Sequence, residues 1–145
     1  MSTVTATPTP TAREELSLTR IYMMRGGYAL MVIGLALVKW PLLPDAYTLP
    51  VYEGVTLSLL TAMSFLALLG LRYPVKLLPV LLFETTWKLL WLSLVALPTA
   101  INGDLSAAMS EVAVSCAFVV FIITATPWRY AWTLYVTSDG DRWWR

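Results

Sequence analysis

Apolar residues occupy this chain in four blocks of about twenty, separated by short polar stretches that carry proline, glycine or charge. The blocks run from about residue 22 to 43, 52 to 71, 75 to 97 and 107 to 127. Each is long enough to cross the hydrocarbon core of a bilayer as a helix. Lipid offers the backbone no hydrogen-bond partner, so each spanning segment must satisfy its own amides as a helix. The pattern therefore predicts an all-α fold: a four-helix transmembrane bundle occupying residues 21–127. Pro41, Pro44 and Pro50 end the first span and are expected to hold the first loop extended. Arg72-Tyr-Pro-Val-Lys76 is a short turn, which makes spans 2 and 3 an antiparallel hairpin. Pro79 is expected to kink span 3 near its start. Asn102-Gly-Asp104 turns the chain before span 4.

The charges at the block ends orient the bundle. Arg13, Arg20, Arg25, Arg72, Lys76, Arg129, Arg142 and Arg145 all fall on one side of a four-span topology. Lys39 alone lies near the other face, with Asp45, Glu53, Asp104 and Glu111. The positive-inside rule places both termini in the cytoplasm. Residues 1–20, rich in Thr, Pro and Ala, read as a disordered cytoplasmic tail and not as a cleavable signal. Residues 128–145 read as an interfacial aromatic tail on the cytoplasmic leaflet. Trp128, Trp132 and Tyr135 share one helical face there, and Asp139-Gly140 is expected to turn the chain before the end.

Composition agrees with a membrane protein: 58% of the 145 residues are hydrophobic and 13% charged, against about 25% charged in soluble domains. The net charge of +1 gives no global field toward nucleic acid. The single cysteine, Cys116, excludes an intramolecular disulfide. The absence of histidine excludes His-ligated haem and His-based acid–base catalysis. No phosphate loop is present, and no Ser, Thr or Cys nucleophile has a histidine base. No catalytic residue, metal site or resident cofactor is expected.

What remains is a polar constellation. Glu84 and Lys88 lie four residues apart within the third block, Lys88 close to its midpoint. A charge at that depth costs roughly 2.5–3.5 kcal/mol on insertion scales. Glu at i and Lys at i+4 is the favourable order for a helical ion pair. Leu77, Leu81, Glu84, Lys88, Trp91 and Val95 form one face of the predicted helix. Span 1 offers Arg25, Tyr28 and Lys39, span 2 Glu53, Thr56, Thr61 and Ser64, and span 4 Glu111 and Ser115. With these faces inward, the bundle would hold a charged cavity open to the outside. Lys39 would pair with Glu53 or Glu111 in it, and Lys88 with Glu84. The alternative is that the pairs only fix helix register. Trp40, Trp87 and Trp91 suggest a stacking surface for a flat ligand such as a quinone, or ordinary packing. The hydroxyls of Thr85 and Thr86 are expected to bond to the helix backbone or a neighbouring helix.

Arg25, Gly34 and Lys39 inside an apolar helix that ends in a proline loop resemble the first helix of the DoxX-like family of small bacterial four-helix membrane proteins. The number and length of the spans extend the resemblance over most of the chain. It implies an inner-membrane helper, in some cases tied to quinone-coupled redox work, and assigns no role to any residue. The expected function is a non-enzymatic accessory or binding component whose polar cavity takes a lipid, a quinone or a partner helix. The alternatives are a small proton- or solute-permeating transporter and a redox accessory subunit. The short loops leave little buried surface per helix, which suggests a homo-oligomer or a larger membrane complex.

Overall fold

The chain is described over residues 16–138 by a computed structural model, and the described part is all helical. Helix α1 covers Leu18–Lys39 and α2 covers Val51–Arg72. Helices α3 (Leu78–Trp91) and α4 (Leu97–Ile101) are continuous through one wide turn at Leu92–Ala96. Helices α5 (Ala107–Ala117) and α6 (Val119–Ala125) join at Phe118, and α7 (Trp128–Trp132) follows a sharp bend. Four helical stretches are thus long and apolar enough to cross a membrane: Leu18–Leu42, Val51–Arg72, Leu78–Ile101 and Ala107–Ala125.

The stretches run up and down. The start of α1, the end of α2, the start of α3 and the end of α6 meet at one end, with Arg20, Arg72, Lys76 and Arg129. Asp45, Glu53, Asp104 and Glu111 lie toward the other end. These are called the basic and the acidic end. Helix α1 packs chiefly on α2 and also on α6, while α3 packs on α6 and α2. The core gathers Met24, Tyr28 and Met31 of α1, Met63 and Ala67 of α2, Leu78, Val80 and Leu81 of α3, and Ile122 of α6. On α1 the buried set Met24, Gly27, Tyr28 and Met31 follows the i, i+3, i+4, i+7 spacing of one helix face.

A lock holds the α2–α3 hairpin against α1. The fully buried Tyr28 donates its hydroxyl to the carbonyl of Pro74 at 2.9 Å. Its ring lies on Gly70, where an added Cβ would collide with the ring. Glycine is required there by close approach, not by its backbone angle.

Three local expectations are corrected. The first loop is not extended: it forms short 3₁₀ turns at Trp40–Leu42 and Ala46–Thr48. Proline suits the first turn of a helix, where its missing N–H has no partner to serve, and Pro41 takes that place. For the same reason Pro79, in the first turn of α3, starts that helix instead of kinking it. The irregular turn of span 3 lies further on, where Leu97 N–H bonds to Leu92 O, five residues back. Pro98 follows and has no N–H for the carbonyl of Leu94, so the widened turn relieves a clash a regular helix would force. The turn also changes which residue faces inward: Ala96 is 6% exposed, whereas Val95, expected on the inner face, is 40% exposed. The Asn102–Asp104 turn is present, with Gly103 at φ +78°. Asp104 N bonds to Thr99 O and Gly103 N to Ala100 O, as a glycine helix stop requires. Residues 1–15 and the Asp139-Gly140 turn lie outside the described residues.

Candidate functional site

The buried charge cluster belongs to α3 alone. Side chains on a helix lean toward its N-terminus, so Lys88 reaches back one turn to Glu84. Lys88 Nζ stands 2.7 Å from Glu84 Oε1. Trp87 Nε1 donates to Glu84 Oε2, also at 2.7 Å. Each carboxylate oxygen therefore has its own donor, and Glu84 is only 1% exposed. Lys88 Nζ also lies 5.7 Å from the centroid of the Trp87 ring, a cation–π distance. Three side chains at i, i+3 and i+4 thus close on one another. Cys116 of α5 is buried.

The nearby hydroxyls are spoken for. Thr85 Oγ1 donates to Leu81 O at 2.9 Å and Thr86 Oγ1 to Leu82 O at 2.7 Å. On α2, Thr61 donates to Leu57 O and Ser64 to Thr61 O. They satisfy themselves on the backbone, so none is set up as a nucleophile.

The remaining candidates do not join this cluster. Glu84–Lys88 is the one ion pair among the described residues. Glu53 and Glu111 are exposed and Lys39 is half-buried, so the expected pairing of Lys39 with either glutamate does not form. Helix phase explains the separation on span 4, because Glu111 lies five residues from the buried Cys116 and so falls near the opposite face of α5. The tryptophans are likewise divided. Trp40 donates to Ser64 Oγ at 3.0 Å and leans on Phe65 at 5.8 Å between ring centroids. Trp87 is held by Glu84, and Trp91 is half-buried. No stacking pair joins them among the described residues.

Two surface clefts occur away from the cluster. One, of about 450 Å³, lies between α1 and α6, with Met23, Gly26, Leu30, Phe118 and Phe121 in its walls. The other, of about 560 Å³, is lined by Trp128, Arg129, Trp132 and Thr133. Among the described residues no group of His, Cys, Asp and Glu is arranged to hold a metal ion.

Sequence reasoning missed the Tyr28 lock, the Trp40–Ser64 bond and the contact of Arg20 Nη1 with Thr124 O at 3.4 Å. Gly70, the glycine next to the polar end of span 2, was the available signal for the first. The other two join groups distant in sequence and leave no local mark.

Over the described residues, fold and site define an all-helical protein with four helices long and apolar enough to cross a membrane and one self-closed charge cluster inside the third. The chain matches no family model, no curated protein and no solved structure.

Proposed function

We propose that the chain is a four-span, non-enzymatic membrane protein with both termini cytoplasmic, acting as an accessory component that receives a partner transmembrane helix. The observation that carries this reading is the uneven packing of the bundle. Most buried side chains lie toward the basic end, from Met24 and Tyr28 across to Leu78, Leu81 and Ile122. Toward the acidic end, α4 and the first nine residues of α5 contain no fully buried residue. Val112, which shares the face of Cys116, is 45% exposed. Lys88, near the middle of its span, borders this open half. An ammonium has three donors, and one is used on Glu84. A carbonyl, amide or carboxylate on an incoming helix would satisfy the others, and such polar contacts hold transmembrane helices together.

The positive-inside rule supports the orientation, through Arg20, Arg72, Lys76 and Arg129 at the basic end. A permeation path would have to pass the tightly filled half around Tyr28 and Leu81, which favours binding over transport. The test is a photo-cross-linking side chain placed at Val112 in native membranes. It is expected to trap another protein or a second copy of the chain, whereas the same group at Leu37, 73% exposed on α1, traps lipid. Lipid adducts alone at both positions would reject the proposal.

A further inference from the structure

The two ends of the described chain meet at the last turn of α6. Arg20 Nη1 donates to Thr124 O, and Trp128 Nε1 donates to Ile123 O at 2.8 Å. Two adjacent carbonyls thus fix a guanidinium from the start of α1 and an indole from α7. Arg129 follows directly, and with Trp128, Trp132 and Thr133 it lines the open cleft of about 560 Å³. Thr133 turns its hydroxyl inward onto Arg129 O at 3.0 Å, which leaves Arg129 and the two indoles as the working surface.

Among the described residues, the charge at this end has one sign. Arg72 and Lys76 lie at the same end, each 5.5 Å from the ring centroid of Tyr73. The acidic side chains among the described residues are Asp45, Glu53, Glu84, Asp104 and Glu111, and none lies at the basic end. The cleft walls are aromatic, with Trp132 65% exposed. A soluble anion would use the charge and leave the rings idle. A molecule with a phosphate at one end and acyl chains at the other uses both.

We infer that this cleft binds an anionic phospholipid, with the phosphate drawn to Arg20 and Arg129 and the glycerol region lying against Trp128 and Trp132. Guanidinium groups suit phosphate because they offer paired donors in one plane. The inference rests on the four-span reading above, since it places the basic end at a headgroup layer.

The full chain is reconstituted in nanodiscs of equal parts phosphatidylcholine and phosphatidylglycerol, and retained lipids are counted by native mass spectrometry. The chain is expected to keep phosphatidylglycerol over phosphatidylcholine by about fivefold or more, the factor that one basic side chain supplies at an anionic surface. Arg20→Gln with Arg129→Gln brings the ratio back toward that of the disc. Arg72→Gln with Lys76→Gln removes the same charge from the same end and leaves the preference in place. Trp132→Ala weakens retention at unchanged charge. Retention at the disc ratio by the unaltered chain would overturn the site. So would equal losses in the two double variants, which would mean a diffuse field. Alkaline extraction of membranes bearing the chain separates the two readings. Release from the membrane defeats the four-span reading, whereas an inserted chain without lipid preference defeats only the site.

Discussion

Tyr28 and Glu84 are both buried polar residues, and each is satisfied in a different way. Tyr28 keeps its ring in the core and sends its hydroxyl out to the Pro74 carbonyl of another element. Tyr28→Phe is expected to lower stability by about 1 kcal/mol, the usual worth of one hydrogen bond. Gly70→Ala is expected to lower it more, by ~1–3 kcal/mol, because the new methyl would have to displace a ring that is enclosed on all sides. Thermal unfolding in a mild detergent checks both. Glu84 is satisfied within its own helix, by Trp87 and Lys88. Lys88→Met alone strands a buried carboxylate and is expected to cost about 3–5 kcal/mol, whereas Glu84→Gln combined with Lys88→Met recovers most of that loss. A double-mutant cycle in the same assay reads the difference. The Glu84–Lys88 pair was legible in the sequence because its spacing is local. The Trp87 donor was not, since an indole at i+3 has many orientations and only packing selects this one.

At the scale of the element, proline position matters more than proline count. Pro41 and Pro79 sit in first turns and disturb nothing, while Pro98 widens the turn before it and moves Ala96 into the interior in place of Val95. Pro98→Ala is expected to let span 3 close into a regular helix and return Val95 to the inner face. A spin label or thiol probe at Val95 would then show lower accessibility, and unchanged accessibility would exclude this account of the turn. Gly103 stands at φ +78°, so Gly103→Ala is expected to destabilise by ~1–2 kcal/mol in the same unfolding assay. The long helices were legible because their apolar runs have no competing reading at that length. The wide turn was not, because a proline at position i marks a disturbance without saying whether the chain will kink, break or widen.

The whole molecule is uneven along its length: filled between Tyr28, Leu81 and Ile122, loosely packed around Val112 and Ile101. Sequence pattern carried no sign of this, because apolar side chains cover most of every span and burial of an apolar residue inside a bundle looks the same as burial in lipid. The charge asymmetry was visible, since it needs only the order of spans. Reporter fusions at the two termini are expected to read cytoplasmic for both, and a cysteine at Asp45 should react with an impermeant reagent added from outside. Opposite readings at the two termini would reject an even number of spans. Of the expected pairs, Lys88 with Glu84 forms and Lys39 with Glu53 or Glu111 does not. Each residue was placed by depth, and depth says nothing of which way a helix is rotated.

That Glu84 finds both its donors three and four residues along the same helix bears on how the chain is made. Membrane proteins are delivered to the bilayer segment by segment as they leave the ribosome. A span whose carboxylate had to wait for a later helix would face lipid with a bare charge, or would be held back until its neighbour emerged. On the four-span reading, the third span carries its counter-ion with it, so it would partition sideways as a nearly neutral rod before the fourth has been synthesised. Lys88→Met would then show its first defect in biogenesis, as slower or incomplete integration of a nascent chain truncated after Gly103, ahead of any defect in the assembled bundle.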